Sequence, residues 1–284
     1  MKFLRFEMED EIKLGLLGKN ETIHDLNSIL AILKIPEIIK MRDFIEYYKN
    51  NELDLKGLFE KASKDKGKIQ LKDVKLKSPI LPQKMICLGL NYVDHAKETN
   101  KKIPKKPILF AKAVSSINDP NGFIELPSQF VDYEVELCVV IGKKCKKVSP
   151  EDASDYVFGY TILNDVTERR VQSSDGQFFR GKSYDTFAPI GPYIVTNIDP
   201  SNLGLELRLN GEIMQKSNTQ NLIFSVPQII SFISEGITLS PGDLIGTGTP
   251  PGIGAARNPP IFLKSGDKIE LSIDNIGNLI NLVK

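Results

Sequence analysis

The side chains in this sequence whose types and spacing can do chemistry are acidic residues, one lysine and a histidine–glutamate pair. Glu134 and Glu136 lie in Asp132-Tyr133-Glu134-Val135-Glu136, which runs straight into the apolar stretch Leu137 to Ile141. On a strand, side chains alternate, so both carboxylates face the same side. Like charges repel there, and neither tolerates a core without a cation between them. Oxygen ligands suit magnesium, manganese or calcium. The same spacing also fits the solvated outer face of an edge strand. Asp165 follows the apolar segment Tyr160 to Leu163 and offers either a third carboxylate at that strand's mouth or the cap of a following helix.

Lys182, in Arg180-Gly181-Lys182-Ser183-Tyr184, is either a solvated surface charge or, beside a carboxylate–metal site, a cation held to stabilise negative charge. His95 and Glu98 follow the apolar strand Met85 to Leu88, in Gly89-Leu90-Asn91-Tyr92-Val93-Asp94-His95-Ala96-Lys97-Glu98. On a helical turn they are i,i+3 neighbours, so the carboxylate can orient the imidazole and raise its basicity, which makes a general base. The alternative is an ion pair on a surface helix. His24 has no such partner in sequence and reads as structural. The stretch Ser240 to Gly254 is rich in glycine, and its Thr247 and Thr249 offer hydroxyls to an anionic group such as a carboxylate. It lacks the GK[ST] ending of a phosphate-binding loop, and its glycines can equally serve tight turns.

These groups need elements to position them. Lys2 to Glu7 and Ile12 to Leu17 read as strands of a hairpin, with a turn signal at Gly18-Lys19-Asn20. Asn27 or Ser28 is expected to cap a helix through Leu33. A second helix is expected from near Pro36 to Tyr48, and a third from Leu53 to Ala62. The texture changes at the lysine-rich stretch Lys64 to Lys77, and Pro79 and Pro82 suggest a boundary near residue 80. Beyond it strands dominate: Met85 to Leu88, Val135 to Ile141, Phe158 to Leu163, Tyr193 to Val195, Leu205 to Leu209 and Ile269 to Ile273. One helix, Val226 to Ser234, is expected between Ser225 as cap and Gly236 as stop. The polar segment 91–105 is expected to be loose without substrate and to close as a lid.

Composition sets the frame. The 284 residues suffice for a sizeable core, in one large domain or a large one with a small one. The formal net charge of +1 gives no electrostatic case for nucleic acid or an anionic membrane. No apolar run is long enough to span a bilayer, and acids interrupt the start where a signal peptide needs its apolar stretch, so a cytoplasmic location is expected. Cys87, Cys138 and Cys145 are odd in number, have no CxxC spacing, and are expected to be reduced rather than bound to zinc.

Taken together and in order, GLNYVDHAKE, DYEVEL, LNDVTERRVQ, GKSYDTFAPIGP, SPGDLIGTGTPPGIG and GDKIELSIDNIGNLIN resemble the catalytic domain of the fumarylacetoacetate hydrolase family, from about residue 84 to the C-terminus. The resemblance implies an α+β, β-dominated fold. A mixed β-roll or sandwich catalytic domain would span 81–284, behind a small N-terminal α+β segment at 1–80. It also implies a homodimer with one divalent metal per subunit, magnesium or manganese, with calcium able to take its place in crystals. By motif position, Glu134, Glu136 and Asp165 look like the metal ligands, Lys182 like the active-site lysine, and His95 with Glu98 like a mobile dyad. Arg169 and Gln172 fall where polar substrate contacts are expected, and Thr249 where the glycine-rich loop meets the substrate's carboxylate. The short N-terminal segment departs from the animal-type enzymes and points to the acylpyruvase and isomerase branch, part of which serves aromatic catabolism. The activity implied is metal-dependent cleavage of a C–C bond in an acylpyruvate-type 2-oxo acid through a metal-bound enolate. A 2-hydroxyhepta-2,4-diene-1,7-dioate isomerase or a 2-oxo acid decarboxylase is the alternative, and a non-catalytic binding protein on the same fold is a further one. The partner expected is a small 2-oxo or 2-hydroxy acid.

Overall fold

In a computed structural model, which describes residues 1–54, 57, 59 and 69–284, the strand-rich sequence forms two large packed sheets and a separate two-stranded pair. The N-terminal run gives β1 (Lys2–Met8), β2 (Glu11–Leu17) and β3 (Thr22–Asp25), and the chain later returns to the same sheet as β4 (Ile69–Gln70) and β5 (Lys75–Lys77). β6 (Met85–Gly89) and β7 (Ile108–Ala111) flank the helix that carries His95. The short β8 (Ile117–Asn118), β9 (Phe123–Ile124) and β10 (Val131–Asp132) lead to the long β11 (Val135–Ile141) and β12 (Val157–Asn164). There follow β13 (Thr167–Glu168), β14 (Ala188–Val195), β15 (Gly204–Leu209), β16 (Glu212–Asn218), β17 (Leu244–Gly246), β18 (Lys268–Ile273) and β19 (Gly277–Val283).

The larger sheet runs β4-β3-β2-β1-β14-β12-β11-β17-β6-β7, with β5 on β1 and β8 on β14. It is mixed, because β17 pairs parallel to β6 while most neighbours are antiparallel. β11, β12 and β14 are buried at every residue, which explains their near-continuous apolar runs: both faces are covered. The smaller sheet, β16-β15-β18-β19-β9, covers one face, and β15 and β18 accordingly alternate between buried and partly exposed residues. Between the sheets Leu137, Val139 and Ile162 share a core with Leu207, Leu271 and Leu279. The other face is covered by α1 (Leu26–Ala31) and α2 (Met41–Asn51), whose Leu26, Phe44 and Ile45 pack with Phe3, Val140 and Phe158. Phe3, Phe44 and Phe158 form an aromatic triple with centroid separations of 5.5, 5.2 and 6.4 Å, a spacing at which each ring pair adds about 0.5–1.5 kcal/mol beyond its burial. Residues before 80 thus share both a sheet and a core with those after it.

Several local expectations are corrected. The turn at Gly18-Lys19-Asn20 lies after Leu17 as expected and links β2 to β3, while β1 and β2 are joined at Glu9 and Asp10, both with left-handed φ (53° and 62°). α1 is capped by Asp25, whose carboxylate accepts the Ser28 N–H at 2.8 Å. Asn27 is unavailable as a cap because its amide closes both backbone groups of Ile38, at 2.9 and 3.1 Å. α2 begins at Met41, not near Pro36. The helix expected over Leu53 to Ala62 falls largely outside the described residues. Beyond residue 80 the described helices are α3 (Val93–Glu98), α4 (Arg169–Asp175) and α5 (Val226–Gly236), the last with Ser225 as N-cap as expected. Gln228 Oε1 accepts the Ser225 N–H at 2.9 Å, which completes that cap. No helix among the described residues is long and apolar enough to cross a membrane.

Candidate active site

The site is built where β11 and β12 begin and end side by side. Glu134 precedes β11 and Glu136 lies within it, so strand alternation aims both at one side. β12 pairs with β11 in the register Val135↔Asn164 and Glu136↔Leu163, which delivers the next residue, Asp165, beside Glu134. The Asp165 N–H donates to Glu134 O at 2.9 Å, and Asn164 Oδ1 accepts the Glu134 N–H at 3.1 Å. One carboxylate oxygen from each of Glu134, Glu136 and Asp165 lies within 4.8 Å of the others, and all three residues are buried. The edge-strand reading of Glu134 and Glu136 fails because β11 is an inner strand, between β12 and β17. The capping reading of Asp165 fails too: Glu168 caps α4, its carboxylate accepting the Val171 N–H.

A buried charge costs several kcal/mol unless it is paired, and the pairing here is dense. Lys182 Nζ donates to Asp165 Oδ2 at 2.5 Å, to Thr167 Oγ1 at 2.9 Å and to Glu134 Oε2 at 3.1 Å. Lys112 Nζ, fully buried, donates to Asp165 Oδ1 at 2.6 Å and to Val166 O at 3.2 Å. Arg169 spreads its guanidinium over Asp132 Oδ2 (2.8 Å), Glu134 Oε1 (2.7 Å) and Gln172 Oε1 (3.2 Å). Asp132 is itself held by the N–H groups of Gly254 and Ala255, at 2.8 and 2.9 Å. Burial by itself raises the Glu134 carboxyl, yet Lys182 and Arg169 outweigh it and hold the group at about 2. Burial lowers Lys112, and its single carboxylate does not make up the loss; Lys182, facing two carboxylates, is raised instead.

Glu136 breaks the pattern. Both its oxygens are buried and neither has a hydrogen-bond partner. Burial, followed by the neighbouring Asp165 and Glu134, pushes its carboxyl well above the usual range. Three hard oxygen donors converging on one point, one of them otherwise orphaned, fit a divalent cation. Magnesium or manganese suits such a set, and Glu134, Glu136 and Asp165 are the residues to hold it.

Opposite this floor stands α3. Asn91 anchors its start by donating from Nδ2 to Thr247 O (2.8 Å) and Phe224 O (3.1 Å) and accepting the Phe224 N–H (2.8 Å). Tyr92 and Ala96 are buried, so the segment expected to be loose is docked over residues 91–98, while 100–103 are mostly exposed. His95 Nδ1 meets Glu98 Oε2 at 3.0 Å, and Glu98 Oε1 accepts the Gly252 N–H at 2.8 Å. The i,i+3 geometry read from the sequence is therefore present, and Nε2 is the ring nitrogen that Glu98 leaves free. A cleft of about 430 Å³ joins the two sides, lined by His95, Glu134, Arg169, Gln172, Lys182 and Thr249 together with apolar Phe110, Phe178 and Ile253. Thr249 borders this space, but its hydroxyl is engaged by the framework, donating to Val135 O (3.1 Å) and accepting from Gln215 Nε2 (2.8 Å).

Lys112, Asp132, Thr167 and Gln215 escaped the sequence reading. Asp132 opens the same motif as Glu134 and could have been found as its neighbour. Lys112 stands just after the apolar β7, a weak hint, and Gln215, which also accepts the Val135 N–H at 2.9 Å, gives none.

A family profile described as fumarylacetoacetate (FAA) hydrolase C-terminal matches residues 84–284. The chain is 40% identical over 294 residues to a protein named oxaloacetate tautomerase fahd2, mitochondrial, from Xenopus laevis, covering 100% of this chain and 90% of the other. Among solved structures, a fumarylacetoacetate hydrolase from psychrophilic Exiguobacterium antarcticum superposes with a TM-score of 0.86 at 38% identity, covering 100% of this chain and 99% of that one. A 2-hydroxyhepta-2,4-diene-1,7-dioate isomerase from Mycobacterium marinum gives 0.77 at 34% identity, with 100% and 98% coverage. With its carboxylate floor, its lysine and its histidine–glutamate pair set on that shared fold, the chain belongs to the fumarylacetoacetate hydrolase family.

Proposed function

We propose that the protein is a divalent-metal-dependent enzyme that moves a proton at the carbon beside the 2-oxo group of a small 2-oxo acid, a tautomerase or isomerase. The observation that carries this reading is His95, held by Glu98, lining one cleft with Glu134, one of the three buried carboxylates that fit a cation. Glu134, Glu136 and Asp165 would hold the ion, which would supply Lewis-acid stabilisation of negative charge on the substrate. Lys182, fixed by Thr167, Asp165 and Glu134, adds a positioned positive charge at the same end. Glu98 fixes the His95 tautomer with the proton on Nδ1, so Nε2 takes the substrate proton and returns it at the neighbouring position. Gln172 has its amide N–H groups left to orient the substrate once its oxygen is taken by Arg169. The apolar wall of Phe110, Phe178 and Ile253 keeps water away from the reacting carbon.

The name borne by the Xenopus laevis relative supports oxaloacetate, or an acid of its size, as substrate. A second reading is hydrolysis, favoured by the likeness to the Exiguobacterium antarcticum hydrolase: the same His95 would deprotonate a water that attacks the distal carbonyl of an acylpyruvate. The two separate in one experiment. Enol–keto conversion of oxaloacetate and pyruvate release from acylpyruvates are followed with magnesium or manganese, before and after chelation. Metal-dependent enol–keto conversion without pyruvate release is expected. Pyruvate release alone establishes the second reading, and indifference to the chelator sinks both. We further propose a homodimer, which sedimentation tests.

A further inference from the structure

Three permanently cationic side chains line the cleft: Lys101, Arg169 and Lys182. Two of them are spent. Arg169 is divided among Asp132, Glu134 and Gln172, and Lys182 among Glu134, Asp165 and Thr167. Lys101, exposed at the rim, makes no side-chain hydrogen bond or ion pair among the described residues. Its backbone is nevertheless fixed. Asn100 takes a left-handed conformation (φ 52°) and the Lys101 N–H folds back to donate to Ala96 O at 2.9 Å, closing the end of α3. The free cation is therefore carried just past the helix that bears His95, and apolar Leu88, Ile108 and Phe110 line the cleft it shares with Glu134 and Lys182.

We infer that Lys101 is a specificity residue that receives a second carboxylate at the far end of the substrate, so that the protein selects 2-oxo dicarboxylates over 2-oxo monocarboxylates. This rests on the function proposed above, because it takes the 2-oxo end of the ligand to lie on the carboxylate floor. A distal carboxylate entering this cleft finds every other lining cation already neutralised. A neutral tail leaves Lys101 hydrated and gains nothing from it.

The test uses the full chain loaded with manganese and a matched pair of ligands, 2-oxoglutarate and 2-oxopentanoate, which differ by a carboxylate against a methyl group. Calorimetry is expected to show 2-oxoglutarate bound about twofold to fivefold more tightly, the upper range for one exposed charge pair. Lys101→Met should erase that preference, Lys101→Glu invert it and Lys101→Arg retain it, with 2-oxopentanoate affinity unchanged throughout. With oxaloacetate as substrate, Lys101→Met should raise KM by the same factor and leave kcat in place. The inference is overturned if the wild type shows no preference, if Lys101→Met leaves 2-oxoglutarate binding intact, or if it weakens both ligands equally, as a purely structural role at the end of α3 requires. A preference that follows Lys101 while no 2-oxo acid is enolised keeps the inference and removes the proposed reaction. Enolisation with a preference indifferent to Lys101 does the reverse, and failure of both ligands to bind removes both.

Discussion

The carboxylate floor and the α3 rim achieve the same end, a fixed side chain, by opposite means. On the floor, Glu134, Glu136 and Asp165 are brought together by the register of two inner strands, and their partners come from far along the chain: Lys112 is 53 residues from Asp165 and Lys182 is 48 from Glu134. On the rim, His95 and Glu98 are neighbours by helical geometry, and one backbone N–H, that of Gly252, ties the pair to the rest. Interdependent buried charges make the floor intolerant of any change in charge. The rim can lose a side chain without disturbing it. Charge stabilisation thus rests on pairings made between distant strands, and proton transfer on a pair made within one helix.

The largest expected effect tests this division from the floor. Glu134→Gln should lower turnover by more than about a thousandfold and remove manganese binding with it, read by kinetics and by titration of the ion. A variant that keeps full metal-dependent turnover refutes the ligand assignment. From the rim, His95→Ala should cost about 10²- to 10⁴-fold in turnover while leaving manganese affinity in place. Loss of metal in that variant would merge the two regions into one.

Stability sharpens the contrast further. Lys112→Met keeps the volume but strands Asp165 beside Lys182 alone, and should destabilise the fold by about 3–5 kcal/mol in urea unfolding. A cost below about 1 kcal/mol would mean that Asp165 does not depend on Lys112. Glu136→Gln should do the reverse in the metal-free protein, gaining about 1–3 kcal/mol at neutral pH by removing the cost of keeping a buried carboxyl protonated where the unfolded chain is ionised. The sign follows from proton binding. The Glu136 carboxyl is raised, so above the ordinary carboxylate value of about 4.3 the folded chain holds a proton that the unfolded chain has lost, and metal-free stability should fall as pH rises. Glu134, held at about 2, acts oppositely: its contribution is present above the ordinary carboxylate range and lost as pH falls towards 2. Unfolding of the metal-free protein across pH 4–8, with and without Glu136→Gln, reads the first slope directly.

What was legible in the sequence was whatever a short-range period could encode. Alternation placed Glu134 and Glu136 on one side, the i,i+3 spacing paired His95 with Glu98, and Ser225 announced α5. What was not legible depends on distant residues. The cap of α1 moved to Asp25 because Asn27 is claimed by Ile38, and the Thr249 hydroxyl is claimed by Val135 and Gln215. Lys112 carries no local mark of the aspartate it neutralises, since that partner arrives only when β12 is laid beside β11.

The pairing of β1 with β14, Lys2 beside Val195 and Phe3 beside Ile194, has a kinetic consequence. During synthesis the first strand leaves the ribosome long before its neighbour exists, and at a few residues per second to about 20 per second it waits many seconds with one edge unpaired. The hairpin with β2 shields the opposite edge and β5 later pairs with Arg5 to Glu7, so Lys2 and Phe3 are the residues left waiting for β14. Assembly of the catalytic sheet is therefore a late, long-range event, and such folds are slow to form and prone to edge-to-edge association until the last strand is in place.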